Sequence, residues 1–456
     1  MQTFNSFQLL IVNKTIQTLL AFLLITSVKA QNAGDTLRPG RVESITSAHK
    51  SSFADNGAKG ECKVRMQGGN PATVNSYLVF DGSADGDRQV DPQIAVGGGY
   101  ILHGTNGGII IYNKKGEFIK GVSQRCFKDG IDPKLFYDPF NKVFGFDLWV
   151  YWDKEKIKPV NISVSETDDP LGAWNTYAIS IPKGVDGGAV GYSHKWIGYS
   201  YPGGGEETFV LKMADAKTGK PADVFHFSGN LGNPVNAQDG TDDLYFFDIT
   251  GKNFIIRKIV ELPDGTPASV VVVNAPHHLR NFDWPPQSAQ RDTAQKVSSG
   301  DRNPKNLILQ NGSIWFSQAI KYHKRSAVQW HQVDAITGKI IQSGLISSDT
   351  TNYIQTTIAV NKNQDVLIGF QEVNEHMFIS PRFAYRYGKD APGTIREIVH
   401  IGEGTGKTGG PSWGDYSCSV VDGDNFNDLW TIQSLSNEKG KGATKIARFS
   451  PKENKK

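Results

Sequence analysis

Short apolar runs punctuated by Gly, Asn and Asp recur along the chain from residue 91 onward, and they pair into strand–turn–strand units. Asp91-Pro92-Gln93-Ile94-Ala95-Val96 turns through Gly97-Gly98-Gly99 into Tyr100-Ile101-Leu102-His103-Gly104. Asp132-Pro133-Lys134-Leu135-Phe136-Tyr137 turns at Asp138-Pro139-Phe140-Asn141 into Val143-Phe144-Gly145-Phe146. Further units centre on Ser193-His194-Lys195, Thr250-Gly251-Lys252, Asn311-Gly312, Asn361-Lys362-Asn363 and Asp422-Gly423-Asp424. β-Rich runs joined across such turns are the signature of hairpins. Seven units spaced at about 40–65 residues predict an all-β fold, a single β-propeller of seven four-stranded blades; six or eight blades also fit. Asp215-Ala216-Lys217-Thr218-Gly219-Lys220 and Asp334-Ala335-Ile336-Thr337-Gly338-Lys339 are near-copies and read as turns between outer strands.

Two stacked β-sandwiches are the competing architecture. No proline-rich linker interrupts the repeats, which favours one ring. Val74-Asn75-Ser76-Tyr77-Leu78-Val79-Phe80 precedes the first unit and is expected to supply the outermost strand of the last blade, closing the ring and removing a sheet edge. The expected organisation is a signal peptide at 1–30, a polar and partly ordered leader at 31–73, the propeller at 74–450 and a basic tail at 451–456.

Composition sharpens the compartment. Residues 1–30 contain no Asp or Glu, and Lys14 precedes the apolar run Thr18–Ile25. Val28-Lys29-Ala30 then offers small residues for cleavage before Gln31, so an export signal is expected, placing the mature protein in a periplasm or outside the cell. The run is too short for a membrane span, which needs about 20 apolar residues. Glycine, 49 of 456 residues, exceeds the usual share of about 7% and fits many turns. The formal net charge of +3 argues against a nucleic-acid partner bound mainly through phosphates. Three cysteines cannot form a disulfide framework. Cys62 and Cys126 could pair, and Cys418 reads as a buried thiol.

Several of these runs resemble a family of exported bacterial β-propeller proteins, most of whose members are uncharacterised. The resemblance spans about residues 88–450. It is carried by Asp91-Pro92, Asp132-Pro133, Val164-Ser165-Glu166-Thr167-Asp168-Asp169-Pro170-Leu171-Gly172-Ala173-Trp174, Gly300-Asp301-Arg302 and Trp413-Gly414-Asp415-Tyr416. More distantly the chain is similar to sialidase-like and pyrroloquinoline-quinone-like propellers, although the sialidase Ser-x-Asp-x-Gly-x-Thr-Trp box is absent.

In a propeller the innermost strands start beside a central channel, where polar residues converge. The candidates there are Asp91, Asp132, Asp186, Asp239, Asp242, Asp301, Arg302, Gln355 and Asp415, with turn capping as the competing role for Asp91, Asp132 and Asp415. Export and fold favour an anionic glycan as partner, and β-elimination on a uronate-containing polysaccharide as the reaction. Such chemistry needs a positive group on the carboxylate, a base for the α-proton and an acid for the leaving oxygen. The catalytic candidates are therefore His103, His194, Tyr199, Arg302 and Tyr416. Arg280, Trp284, Asp239, Asp242, Gln355 and Trp413 are candidates for substrate binding, with the 274–305 insertion expected to wall a pocket through Trp284. A non-catalytic glycan- or protein-binding propeller and a sialidase-like hydrolase working through two carboxylates are the alternatives. No Cys-x-x-Cys or His-x-x-x-His spacing points to a metal site, and no cofactor is expected. A Ca²⁺ ion, which needs six to eight oxygen ligands, is the alternative: a ring of carboxylates around the channel could hold it, although no contiguous Asp-x-Asp-x-Asp loop does.

Overall fold

The computed structural model describes residues 32–53, 69–74, 77–83, 90–128, 130–149, 159–181, 188–201, 207–279 and 282–451. The expected signal peptide, Cys62, Asp186, Arg280 and the end of the basic tail lie outside these residues. Seven sheets of four or five strands follow one another along the chain as the blades of one propeller. Strand neighbours are antiparallel in each, apart from one short parallel pairing in blade 5. Blade 1 comprises Gln93–Gly97, Tyr100–Thr105, Gly108–Asn113 and Phe118–Val122. Blade 2 starts at Ile131–Asp138, blade 3 at Ala189–Tyr192, blade 5 at Leu307–Gln310, blade 6 at Asn352–Val360 and blade 7 at Cys418–Val421.

Each blade is apolar on both faces because each is sandwiched between two others. Seven clusters of buried side chains accordingly lie one between each pair of neighbours. Ile94, Ile110, Trp430 and Ile446 join blade 7 to blade 1. The remaining pairs are joined by clusters around Phe144 and Trp174, Tyr177 and Phe209, Val210 and Phe246, Phe254 and Phe316, Trp330 and Ile368, and Phe383 and Phe449. The ring is thus closed by packing as well as by pairing. Tyr77–Asp81 pairs antiparallel with Gly442–Phe449, so the segment ahead of blade 1 completes blade 7.

The leader adds strands that the polar sequence did not announce. Thr36–Leu37 extends blade 4, Arg41–Ile45 extends blade 3 and His49–Ser52 extends blade 2. These segments lie on outer edges, and most of their side chains are exposed or half-buried.

Blade 4 departs from the sequence expectation. The unit turning at Thr250-Gly251-Lys252 forms its second and third strands, Leu244–Thr250 and Asn253–Glu261. Its innermost strand is the short segment 233–237, which pairs first with its own blade through Asn233–Pro234 and then runs parallel to blade 5 through Asn236–Ala237. Pro234 cannot donate to a ladder, which keeps that strand short. A close approach from blade 3 accompanies it: a Cβ on Gly191 would sit 2.8 Å from Cβ of Pro234 and 2.9 Å from its carbonyl carbon.

The 274–305 insertion has secondary structure of its own. Ser288–Gln290 and Thr293–Val297 form a small hairpin. It leans on blade 6, with Val297 packed among Ile354, Val373, Ile379 and Trp413. Among the described residues the one α-helix is the six-residue Met213–Thr218, and no helix is long and apolar enough to cross a membrane. Cys126 is disulfide-bonded, and Cys418 is a free, buried thiol.

Candidate functional site

The innermost strands converge at one end of the ring in a buried polar cluster. Asp91 precedes the first innermost strand, Asp132 and Gln355 sit at the register shifts of two others, and all three are left-handed, with φ of 46°, 55° and 51°. A residue with a side chain rarely adopts that conformation without being held there, and hydrogen bonds between blades hold these. The Asn106 amide donates to Asp91 Oδ2 (3.1 Å), and the Asp132 N–H donates to Asn106 Oδ1 (2.8 Å). The Asp415 N–H donates to Asp91 Oδ1 (2.6 Å), and Gln355 Nε2 donates to the Gly414 carbonyl (2.7 Å). Blades 1, 2, 6 and 7 are tied together around the channel mouth by these bonds.

Inside this collar lies Lys134. Its Nζ sits 2.8 Å from the centroid of the Tyr416 ring. The Lys134 N–H donates to Oδ1 of Asp147, a carboxyl with no solvent exposure (2.8 Å). Burial pushes Asp147 up to about 7, and the Lys134 charge only partly offsets this. Burial and the neighbouring Asp132 likewise raise Asp91 to about 7. Burial lowers Lys134 to about 8 against the pull of Asp132, Asp147 and Asp91. The channel itself is narrow. Its polar chamber, of about 30 Å³, is lined by Gln93, Lys134, Asn236, Lys305, Asn306, Tyr416 and Ser417 among others. That is room for about one water-sized particle, not for a sugar ring.

A far larger groove, of about 1080 Å³, opens between blades 4 and 5. Ala275–Leu279 of blade 4 and its following loop form one wall. Tyr322, Gln329, His331 and the stretch Thr337–Ile340, continuing through Ser343–Leu345, form the blade 5 side, and Gly393 of blade 6 closes one end. Its ionisable lining groups are His277, His278, His331, Lys339 and Tyr322; no carboxylate belongs to the described lining. His331 is fixed, with Nδ1 2.6 Å from Ser343 Oγ and Nε2 2.9 Å from the Gln329 amide nitrogen. Burial lowers it to about 3, so it is neutral at physiological pH. His277 Nδ1 accepts the Leu279 N–H (3.4 Å), which leaves the proton on Nε2. The Lys339 ammonium makes no ion pair within 4 Å among the described residues.

The sequence candidates scatter over this framework. Tyr416 alone of the five catalytic candidates lines a described cavity, the axial chamber. His103 is fully buried between blades 1 and 7, pushed down to about 3 by burial, with neither ring nitrogen partnered among the described residues. Tyr199 is buried against Phe209, its hydroxyl close enough to Asp147 and Asp132 to feel their charge. His194 is exposed at the other end of the ring, in the turn after the blade 3 innermost strand, with Nδ1 2.9 Å from Asp242 Oδ1. Asp242 and Asp239 therefore do not begin an innermost strand. They lie in the turn before Leu244–Thr250, where Asp239 accepts the Thr241 N–H (3.3 Å). Arg302 donates to the Phe282 carbonyl (2.8 Å), its guanidinium resting over Phe282 and Trp284 at 4.6 and 4.9 Å, and so braces the insertion. Trp284 is 53% exposed and lines neither cavity; only the first residues of the insertion wall the groove. Trp413 is buried and donates to Gln371 Oε1 (2.7 Å). The structure thus does not bring His103, His194, Tyr199 and Arg302 into one site.

The sequence reading missed Lys134, Asp147, Tyr322, His331 and Lys339. Asp147 had a readable signal, a lone carboxylate in the apolar run Val143-Phe144-Gly145-Phe146-Asp147-Leu148-Trp149. Among the described residues no group of three or more His, Cys, Asp or Glu side chains is arranged to hold a metal ion.

No protein-family model and no curated protein sequence matches the chain. Among solved structures it is similar to Kuenenia stuttgartiensis hydrazine synthase, at 10% identity and a TM-score of 0.44 over 81% of this chain and 97% of that one. It is also similar to a polysaccharide lyase of a family named for ulvan lyase, at 8% identity and a TM-score of 0.41 over 83% and 95%. A third is the Dos1 propeller, at 9% identity and a TM-score of 0.37 over 82% and 94%. These likenesses are of architecture alone, and the strand order places this chain among the seven-bladed β-propellers.

Proposed function

We propose that this chain is an exported propeller that takes an anionic, uronate-bearing saccharide in the groove between blades 4 and 5 and cleaves it by β-elimination. The observation that carries the reading is the groove's lining: basic and phenolic groups, without a carboxylate among the described residues. Its volume suits an oligosaccharide segment, and the narrow axial chamber does not. Lys339 is the group to face the sugar carboxylate. Neutralising that charge makes the adjacent ring proton more acidic. His278, exposed in the groove, is the base; Tyr322 protonates the departing glycosidic oxygen. The C–H pair becomes the new ring double bond as the C–O bond breaks, and no water is consumed. Hydrolysis through two opposed carboxylates has no support in this lining.

A second reading is a non-catalytic saccharide-binding platform. The fixed nitrogens of His331 and the Nδ1 bond of His277 favour it, since groups so engaged position a ligand better than they move protons. The test is incubation with a panel of uronic-acid polysaccharides, following ultraviolet absorbance of the unsaturated product. The expected result is a rising absorbance with at least one polymer, abolished by His278→Ala and Tyr322→Phe. Binding on a glycan array without that absorbance would establish the second reading instead. New reducing ends without absorbance would overturn elimination in favour of hydrolysis.

A further inference from the structure

We propose that the polar chamber of the axial channel is a binding site for a monoatomic anion of chloride size, held by the ammonium groups of Lys134 and Lys305 and by the side chains of Asn236 and Tyr416. This inference is independent of the groove and of the reaction proposed there.

The chamber is a built site. Lys134 and Tyr416 line it at 8% and 6% exposure, and neither Lys134 Nζ nor the Tyr416 hydroxyl has a hydrogen-bond partner among the described residues. An ammonium buried without an acceptor is unfavourable by several kcal/mol unless something compensates it. Resting over the Tyr416 ring compensates only part of this. Lys305 lines the same chamber from blade 5, its own carboxylate partner being Asp301 at 3.4 Å. The chamber lining includes no carboxylate among the described residues. Asn236 contributes an amide whose oxygen is also unpartnered, and the amide can turn to present its N–H₂ group. Two cations, an amide and a hydroxyl around a volume of about 30 Å³ select one small anion over a cation or a polyatomic oxyanion.

The carboxylates stand behind this lining, and of their buried oxygens only Asp147 Oδ2 keeps no hydrogen-bond partner among the described residues. Asp91 accepts from Asp415 and Asn106, Asp132 from the Trp149 indole (3.1 Å), and Asp147 from the Lys134 backbone. The groups that set the field at Lys134 are Asp132 on its own strand, Asp147 on the next strand, Asp91 from the mouth of blade 1 and Lys305 from blade 5, with the Tyr416 ring against it; Asp415 acts on Tyr416. With Asp91 and Asp147 pushed up to about 7, acid removes negative charge from around a lysine that stays charged. Anion affinity therefore falls as pH rises through neutrality.

The experiment is crystallography of the full chain soaked in sodium bromide, together with melting in sodium chloride and in sodium isethionate at equal ionic strength. The expected results are an anomalous bromide peak beside Lys134 Nζ and a Tm higher in chloride than in isethionate, the gap being wider at acid than at alkaline pH. Lys134→Met removes both the peak and the gap. Lys305→Gln, on the half-exposed side of the chamber, keeps the fold readable if the first variant does not fold, and narrows the gap. Anomalous maps without a peak in the chamber, or a chloride gap unchanged in Lys305→Gln, would overturn the proposal and leave water as the occupant.

Discussion

Asp147 and Lys134 show how burial reverses ordinary acid–base behaviour at single residues. The folded carboxyl of Asp147 titrates at about 7 instead of near 4, so the folded chain holds a proton that the unfolded chain has released across that interval. Stability from this group is therefore full below the unfolded value and is lost as pH rises toward 7. Lys134 acts oppositely. Its folded value of about 8 lies below the unfolded one, so its share of stability grows as pH rises from about 8 to 10.5. Asp147→Asn, which keeps an acceptor for the Lys134 N–H, should flatten the fall in Tm between about pH 4 and 7, by an amount worth roughly 4 kcal/mol at most. Melting both proteins across that range checks this; parallel curves would contradict it. In the groove, Lys339→Ala should weaken saccharide binding by roughly tenfold while leaving Tm within a degree or two, since Lys339 is exposed and pairs with no described carboxylate. Titration calorimetry with the responding saccharide measures it.

At the scale of strands, local pattern and tertiary context divide the outcome. Six hairpins were legible because a short turn marks the end of each innermost strand, with Gly, Asn or Asp in five of them, as at Gly97-Gly98-Gly99 and Asn311-Gly312, and Ser193-His194-Lys195 in blade 3. The innermost strand of blade 4 was not, because Asn233-Pro234-Val235-Asn236-Ala237 is too short and too polar to stand out. Its pairing depends on two different sheets. The leader strands were hidden for a related reason: Arg41-Val42-Glu43-Ser44-Ile45 buries almost nothing and is ordered by the edge it meets. The two kinds of outer strand should differ in weight. Phe80, at 1% exposure in the cluster between blades 7 and 1, should cost about 3–5 kcal/mol on truncation to Ala. Leu37, at the outer edge of blade 4, should cost under about 1.5 kcal/mol on the same change. Guanidinium denaturation of both variants makes the comparison, and equal losses would show that the ring does not depend on its closing strand.

For the whole molecule, the seven inter-blade clusters mean that no blade owns a core. Removing one blade exposes the faces of two others, so unfolding should be a single transition despite a length that invites several domains. Coincident curves by tryptophan fluorescence and far-ultraviolet dichroism are expected, whereas separated midpoints would indicate independently stable sectors. The same architecture explains why the candidate sites were only half readable. Asp91, Asp132, Asp415 and Tyr416 occupy repeat positions, so the repeat itself points at the axial cluster. The groove joins His277 and His278 to Tyr322 and Lys339 across two blades' outer strands, where no repeat aligns them.

The leader's course has a consequence in time. Thr36–Leu37, Arg41–Ile45 and His49–Ser52 lie on blades 4, 3 and 2 in that order, and Tyr77–Asp81 lies on blade 7. Each of these strands therefore pairs with a strand made much later in the chain, and Tyr77–Asp81 waits longest. During synthesis the first three must wait for residues up to Pro276, Ser228 and Ile179 respectively, and the closing strand must wait for Phe449. Arg41, Glu43 and Lys50 keep those waiting strands charged, which guards them against pairing with other chains. If the chain is exported as proposed, it could not lock its ring shut before the last blade had crossed.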